Sequence, residues 1–89
     1  MIASFADTNT EKLFANTYVK AFDQIIDAAR TKLKLIDNAQ KLSDLEVPPG
    51  NKLEALVGYR KGQHSIRINR QYRICFVWDG DGKGASAVE

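Results

Sequence analysis

Between His64 and Trp78 the side chains alternate in two runs, and that alternation admits few folds. Ile66 and Ile68 alternate with Ser65, Arg67 and Asn69, while Tyr72, Ile74, Phe76 and Trp78 alternate with Arg73, Cys75 and Val77. Successive strand residues point to opposite faces of a sheet, so each run buries one face. A three-residue loop of Asn69-Arg70-Gln71 sets Ile68 against Tyr72, Ile66 against Ile74 and His64 against Phe76 on the core face. A two-residue loop sets Ile68 against Arg73 and mixes the faces, so the longer loop is expected.

The same register sets Arg67 across from Arg73 on the other face, where like charges opposite one another destabilise a sheet. An anion between them relieves the repulsion. With both guanidiniums turned into a concave face they form a phosphate clamp, each planar fork able to hold two oxygens. In the alternative, both splay into water or pair with Asp or Glu from the helices.

Charge along the chain favours a polyanion. Residues 1–51 carry six Lys/Arg against seven Asp/Glu, whereas 52–73 carry six basic residues (Lys52, Arg60, Lys61, Arg67, Arg70, Arg73) against Glu54 alone, a local net charge of +5. Each Lys or Arg brought to a phosphate releases condensed counterions, which is how such a stretch binds nucleic acid. A solvated basic face is the bland alternative.

The N-terminal half has a helical period. Met1–Phe5 is short and mixed, open to an edge strand, and Thr8-Asn9-Thr10-Glu11 has the form of a capping box that starts a helix carrying Leu13, Phe14 and Tyr18. Phe22, Ile25, Ile26, Ala29, Leu33 and Ile36 then mark one apolar stripe of a second helix, with Asp23, Asp27, Arg30, Lys34 and Asp37 pointing elsewhere. The stripe reads as core. Val47-Pro48-Pro49-Gly50-Asn51 ends the helical half. Leu53–Val57 is a short apolar run that reads as a strand, and Gly58-Tyr59-Arg60-Lys61-Gly62 is a glycine-bracketed, charged turn. Asp79–Gly84 reads as a turn, after which Ala85–Val88 can begin a last strand.

Several classes recede. With 89 residues, 44% of them hydrophobic, the chain reads as one domain over residues 1–89. No apolar run approaches the roughly 18 residues of a membrane span, and the N-terminus lacks the regions of a signal peptide, so no membrane contact and a cytoplasmic location are expected. Cys75, the single cysteine, reads as a structural thiol. Lys83 stands where a calcium loop needs an oxygen ligand, and the glycines match no nucleotide-binding pattern; no metal and no cofactor are expected.

Three segments resemble a known family. Ile2-Ala3-Ser4-Phe5 with Glu11-Lys12-Leu13-Phe14 is similar to its opening, and Val47-Pro48-Pro49-Gly50-Asn51-Lys52-Leu53-Glu54-Ala55-Leu56 to its centre. Gly58–Asn69 with Arg73-Ile74-Cys75-Phe76 looks like its signature hairpin. The family is the plasmid-maintenance killer proteins, or HigB-like toxins, of the RelE/ParE superfamily.

The resemblance implies an α+β, RelE-like fold, with two N-terminal helices packed on a small, mostly antiparallel sheet. It implies the toxin of a type II toxin-antitoxin system, a metal-independent endoribonuclease that enters the ribosomal A site, cuts mRNA and so inhibits translation. Its partner would be a HigA-like helix-turn-helix antitoxin, with operator DNA bound only through that complex. Arg67 and Arg73 would then be catalytic, holding the scissile phosphate, and Arg60, Lys61 and Arg70 would bind neighbouring mRNA or ribosomal RNA. Relatives often place Lys where Val57 stands and Trp where His64 stands, and commonly end in a Tyr-His pair beyond the position of Glu89. These differences keep a second reading open, a catalytically impaired toxin that binds antitoxin or RNA. A third is a ParE-like poison of DNA gyrase.

Overall fold

The computed structural model describes all residues from Met1 to Glu89. Two α-helices, α1 (Thr8–Phe14) and α2 (Ile26–Asn38), precede four strands, β1 (Glu54–Ala55), β2 (Gln63–Arg67), β3 (Arg73–Gly80) and β4 (Gly84–Ser86). The strands form one antiparallel sheet in the order β1-β2-β3-β4. Ile2 and Phe5 add parallel bridges to Ala85 and Val88, so the N-terminal segment lies along the outer edge of β4. Helices before an antiparallel sheet are the α+β arrangement that the resemblance implies.

The hairpin has the expected register. His64 faces Phe76, Ile66 faces Ile74 and Arg67 faces Arg73, and the Ile68 N–H donates to Tyr72 O at 2.9 Å. Asn69 explains why the loop holds three residues: its Oδ1 accepts from the N–H groups of Gln71 and Tyr72, both at 2.8 Å. A short polar side chain thus replaces a backbone turn.

The inner face of the hairpin and the stripe of α2 make the core. Thirteen buried apolar residues form one cluster, among them Ala29, Leu33 and Ile36 of α2 and Ile66, Ile74 and Phe76 of the sheet. Two expected helix starts shift. The cap of α1 is Asp7, whose Oδ2 accepts from Thr10 N at 3.1 Å, so Thr8 is the first helical residue and not the cap. A carboxylate one residue earlier reaches the same free N–H groups and suits the positive helix end. The helix stops at Phe14, leaving Tyr18 exposed beyond it.

The second helix begins at Ile26 and not near Phe22, which belongs to a separate 3-10 turn, Lys20–Phe22. Ile25 leaves the helical region (φ −125°, ψ 9°), and this break lets Ile25 be buried while Phe22 packs against the cluster. Arg30 ties the helices together, its Nε donating to Leu13 O at 2.9 Å and its Nη2 to Thr17 O at 3.2 Å. The guanidinium thereby adds a charged donor to the Leu13 carbonyl at the end of α1, which also accepts from Asn16 N at 3.2 Å.

Beyond Trp78 the expected turn is shorter than 79–84, because β3 runs on through Gly80. An irregularity between Trp78 and Gly80, with Gly80 at φ 133°, allows the extension. The acidic side chains there serve the fold: Asp81 Oδ1 accepts from Trp78 Nε1 at 3.1 Å and Leu42 N at 3.3 Å, and Asp79 Oδ1 from Ser86 Oγ at 3.1 Å.

Gly84 sits at φ 86°, and a Cβ there would stand 1.9 Å from Met1 O. Gly84→Ala is expected to cost about 3 kcal/mol, from backbone strain plus displacement of the N-terminal segment, as read by denaturant unfolding. Asp44 accepts from the N–H groups of Gln40 and Lys41, both at 3.1 Å, and these bonds hold its carboxyl below the usual range. The folded state therefore binds this proton less readily than the unfolded chain, so the stabilisation is complete above the ordinary Asp range and fades as acid titrates the folded carboxylate. Asp44→Asn should melt earlier than the parent near neutral pH, and the gap should close in acid.

Candidate functional site

Opposite the core, the sheet presents an outer face whose rows follow from the register. Arg67 and Arg73 make the row nearest the hairpin tip. Glu54, Ser65 and Cys75 form the next row across three strands, and Gln63, Val77 and Ser86 the third. Glu89 extends the middle row by exchanging two backbone hydrogen bonds with Cys75, at 3.2 and 2.9 Å. The candidate arginines therefore lie beside two carboxylates, a hydroxyl and a thiol.

The two arginines resolve their mutual repulsion by turning to different acceptors. Arg73 reaches back across the sheet: its Nε donates to Ser65 Oγ at 2.8 Å, and its Nη2 to Lys52 O at 2.6 Å. Glu54 Oε1 lies 3.9 Å from the same nitrogen. Arg67 makes one side-chain bond, from Nε to Asn69 O at 2.9 Å. The two terminal nitrogens of Arg67 are thus left for an external anion, while Arg73 is fixed by the chain itself. The carboxylate beside Arg73 comes from β1, not from a helix.

Arg60 is also anchored. Its Nη1 donates to Gln63 Oε1 at 3.2 Å and its Nη2 pairs with Glu89 Oε1 at 2.9 Å, which raises its pKa further above the usual range. Exposed ion pairs of this kind contribute little stability, but they do restrict where a long side chain can lie. Lys61 and Arg70 are exposed at opposite ends of the hairpin. From Gln63 to Arg67 is roughly 13 Å of strand, so Arg67, Arg70 and Arg73 gather near the tip whereas the backbones of Arg60 and Lys61 lie at the other end, with the Arg60 guanidinium reaching back to Glu89 in the middle row.

His64 is turned inward. Its ring stacks on Phe76 with centroids 6.3 Å apart, and its Nδ1 is buried without a partner. A cavity of about 60 Å³, lined mainly by apolar residues including Leu13, Phe22, Ile25 and Ile68, lies between the helices and the hairpin. It offers a polyanion little, since its lining is mostly apolar.

Sequence reasoning passed over the residue that supports Arg73 from below. Asn51 is fully buried; its Nδ2 donates to Leu45 O at 3.1 Å and Val47 O at 3.2 Å, and its Oδ1 accepts from Lys32 Nζ. The next residue, Lys52, takes a left-handed conformation (φ 47°), and its carbonyl receives Arg73. After Pro48-Pro49-Gly50 an asparagine reads as one more turn residue; only its burial reveals the clamp. Asn51→Ala should cost about 2–3 kcal/mol in chemical unfolding, because two carbonyls and an ammonium lose their partner together.

The sequence model described as "RelE-like toxin of type II toxin-antitoxin system HigB" matches residues 3–87. Over 54 residues the chain is 52% identical to Toxin HigB-1 of Vibrio cholerae, covering 61% of this chain and 57% of that protein. Over 68 residues it is 29% identical to an uncharacterized protein of Haemophilus influenzae, covering 76% of this chain and 67% of that one. The matched stretch thus spans less than two thirds of the Vibrio toxin. With nearly the whole chain inside the family match, and the signature hairpin folded as the register requires, the protein belongs to the HigB-like, RelE-like toxins of type II toxin-antitoxin systems.

Proposed function

We propose that this protein is a ribosome-dependent mRNA endoribonuclease of the cytoplasm that stops translation, and that a HigA-like helix-turn-helix antitoxin neutralises it. Operator DNA would be reached only through the toxin-antitoxin pair. The observation that carries this reading is the cross-strand pair Arg67 and Arg73 on the outer face, one fork open to an anion and one braced by the chain.

The chemistry asks three things of a site. A base removes the proton of a ribose 2′-OH, the 2′-oxygen bonds to phosphorus, and the bond to the 5′-oxygen breaks as an acid supplies its proton. Between those events the phosphorus carries extra negative charge, which fixed cations stabilise. Arginine stays protonated throughout, so Arg67 and Arg73 serve the middle task alone. The strand then runs over the basic hairpin, with Arg70 near the scissile phosphate and Arg60 and Lys61 further along.

A second reading, an RNA-binding module without cleavage, is favoured by the inward turn of His64, which takes the single histidine off the arginine face. Primer extension on an mRNA translated in vitro separates the two. Arg67→Ala is expected to lower cleavage about 100-fold while leaving thermal unfolding near that of the parent. Arg73→Ala should abolish cleavage and also loosen the fold, since Lys52 O and Ser65 Oγ lose their donor. Unchanged cuts with Arg73→Ala would sink the assignment of the arginine pair to the cleavage site; salt-dependent RNA binding without cuts by the parent would leave the module.

A further inference from the structure

The turn between β1 and β2 carries a side chain that neither the fold nor the arginine face uses. Tyr59 is 99% exposed, and its neighbour Val57 is 85% exposed. No hydrogen bond or ring contact holds the Tyr59 ring, whereas Tyr18 bonds Asp23 and Phe5 packs on Phe14. A lone exposed aromatic is ordinary on a protein surface. The backbone beneath this one, however, is tightly built.

Gly58 (φ 72°) and Gly62 (φ 96°) bracket a 3-10 turn, Gly58–Arg60, closed by Lys61 N donating to Gly58 O at 3.0 Å. Leu56 N donates to Gln63 O at 2.9 Å across its base. Arg60 pins the turn to the sheet through Gln63 and Glu89. With Arg60 directed at the sheet, Tyr59 stands out from a fixed support, and the exposed Lys61 follows it. A planar ring on a rigid basic turn, with no partner in its own fold, matches a base of single-stranded nucleic acid better than an apolar protein surface, because Lys61 adds charge a phosphate would meet.

We infer that Tyr59 is a stacking platform for one base of a bound RNA strand, at the end of the hairpin away from Arg67 and Arg73. The inference rests on the reading that RNA is the substrate. It adds a contact made to a base face, which tolerates any sequence, beside contacts made to phosphates. The two kinds of contact respond differently to salt: phosphate contacts release counterions, and stacking does not.

The test is fluorescence anisotropy of the full chain on a single-stranded RNA oligonucleotide, and on the same strand made abasic, across a salt series. Tyr59→Phe should bind like the parent. Tyr59→Ala should bind about ten-fold more weakly at every salt concentration with the salt slope unchanged, and should match the parent on the abasic strand. Lys61→Ala should reduce the salt slope by about 0.7. Because the ring touches nothing, thermal unfolding of Tyr59→Ala should equal that of the parent. Parent-like RNA binding by Tyr59→Ala, or a penalty that persists on the abasic strand, overturns the stacking role. Weaker binding of the purified antitoxin with RNA affinity intact would overturn it too, in favour of a protein interface. A parent chain with no salt-dependent RNA affinity removes the RNA reading and this inference together, whereas RNA binding indifferent to Tyr59 removes this inference alone.

Discussion

The pairing of β2 with β3 is the constraint on which the rest of the molecule depends. One register sends Ile66, Ile74 and Phe76 inward against α2 and sends Arg67, Arg73, Ser65 and Cys75 outward. A slip of one residue would exchange the faces, burying arginines and exposing the core. The Asn69 side chain guards against that slip by closing the three-residue loop from within. Core and candidate site are thus two consequences of one ladder, which explains how so short a chain supports both.

The outer face shows what like charges cost and how that cost is met. Arg67 and Arg73 sit directly across the ladder, an arrangement that isolated strands avoid. Here Arg73 is drawn away by Ser65 Oγ, Lys52 O and the nearby Glu54, and Arg67 bends to Asn69 O. The acceptors for Arg73 come from β2 and from the chain at the start of β1, and the one from Lys52 directly follows the buried Asn51. A positively charged face is therefore assembled before any anion arrives. For the proposed cleavage, such preorganised cations would be worth more than mobile ones, because no reorganisation is needed as charge develops.

Much of this was legible in the residues. The hairpin register followed from alternation alone, since period two and a buried face leave one workable loop length. The α2 stripe announced the core, and the acceptor for Arg30 was the part it could not show. The start of α2 lies later than its stripe suggests, because Phe22, Ile25 and Ile26 fit a helical stripe while Ile25 breaks the helix so that the 3-10 turn can pack as well. Likewise Thr8 has the residue type of a cap, but Asp7 has the position. In the site, Arg67 and Arg73 could be paired from the pattern; the partners that hold them could not.

The order of helices and sheet, the faces of the hairpin, the basic stretch from Lys52 to Arg73 and the family signature are all written in the residues, because each is local in the chain or periodic along it. Tertiary structure alone decided that Asn51 is a buried clamp, that Arg73 is braced while Arg67 stays open, that His64 faces the core and that Tyr59 stands free. Those outcomes depend on which distant backbone groups meet a side chain, as Lys52 O meets Arg73 across 21 residues, and hydrophobic periodicity carries no record of such meetings.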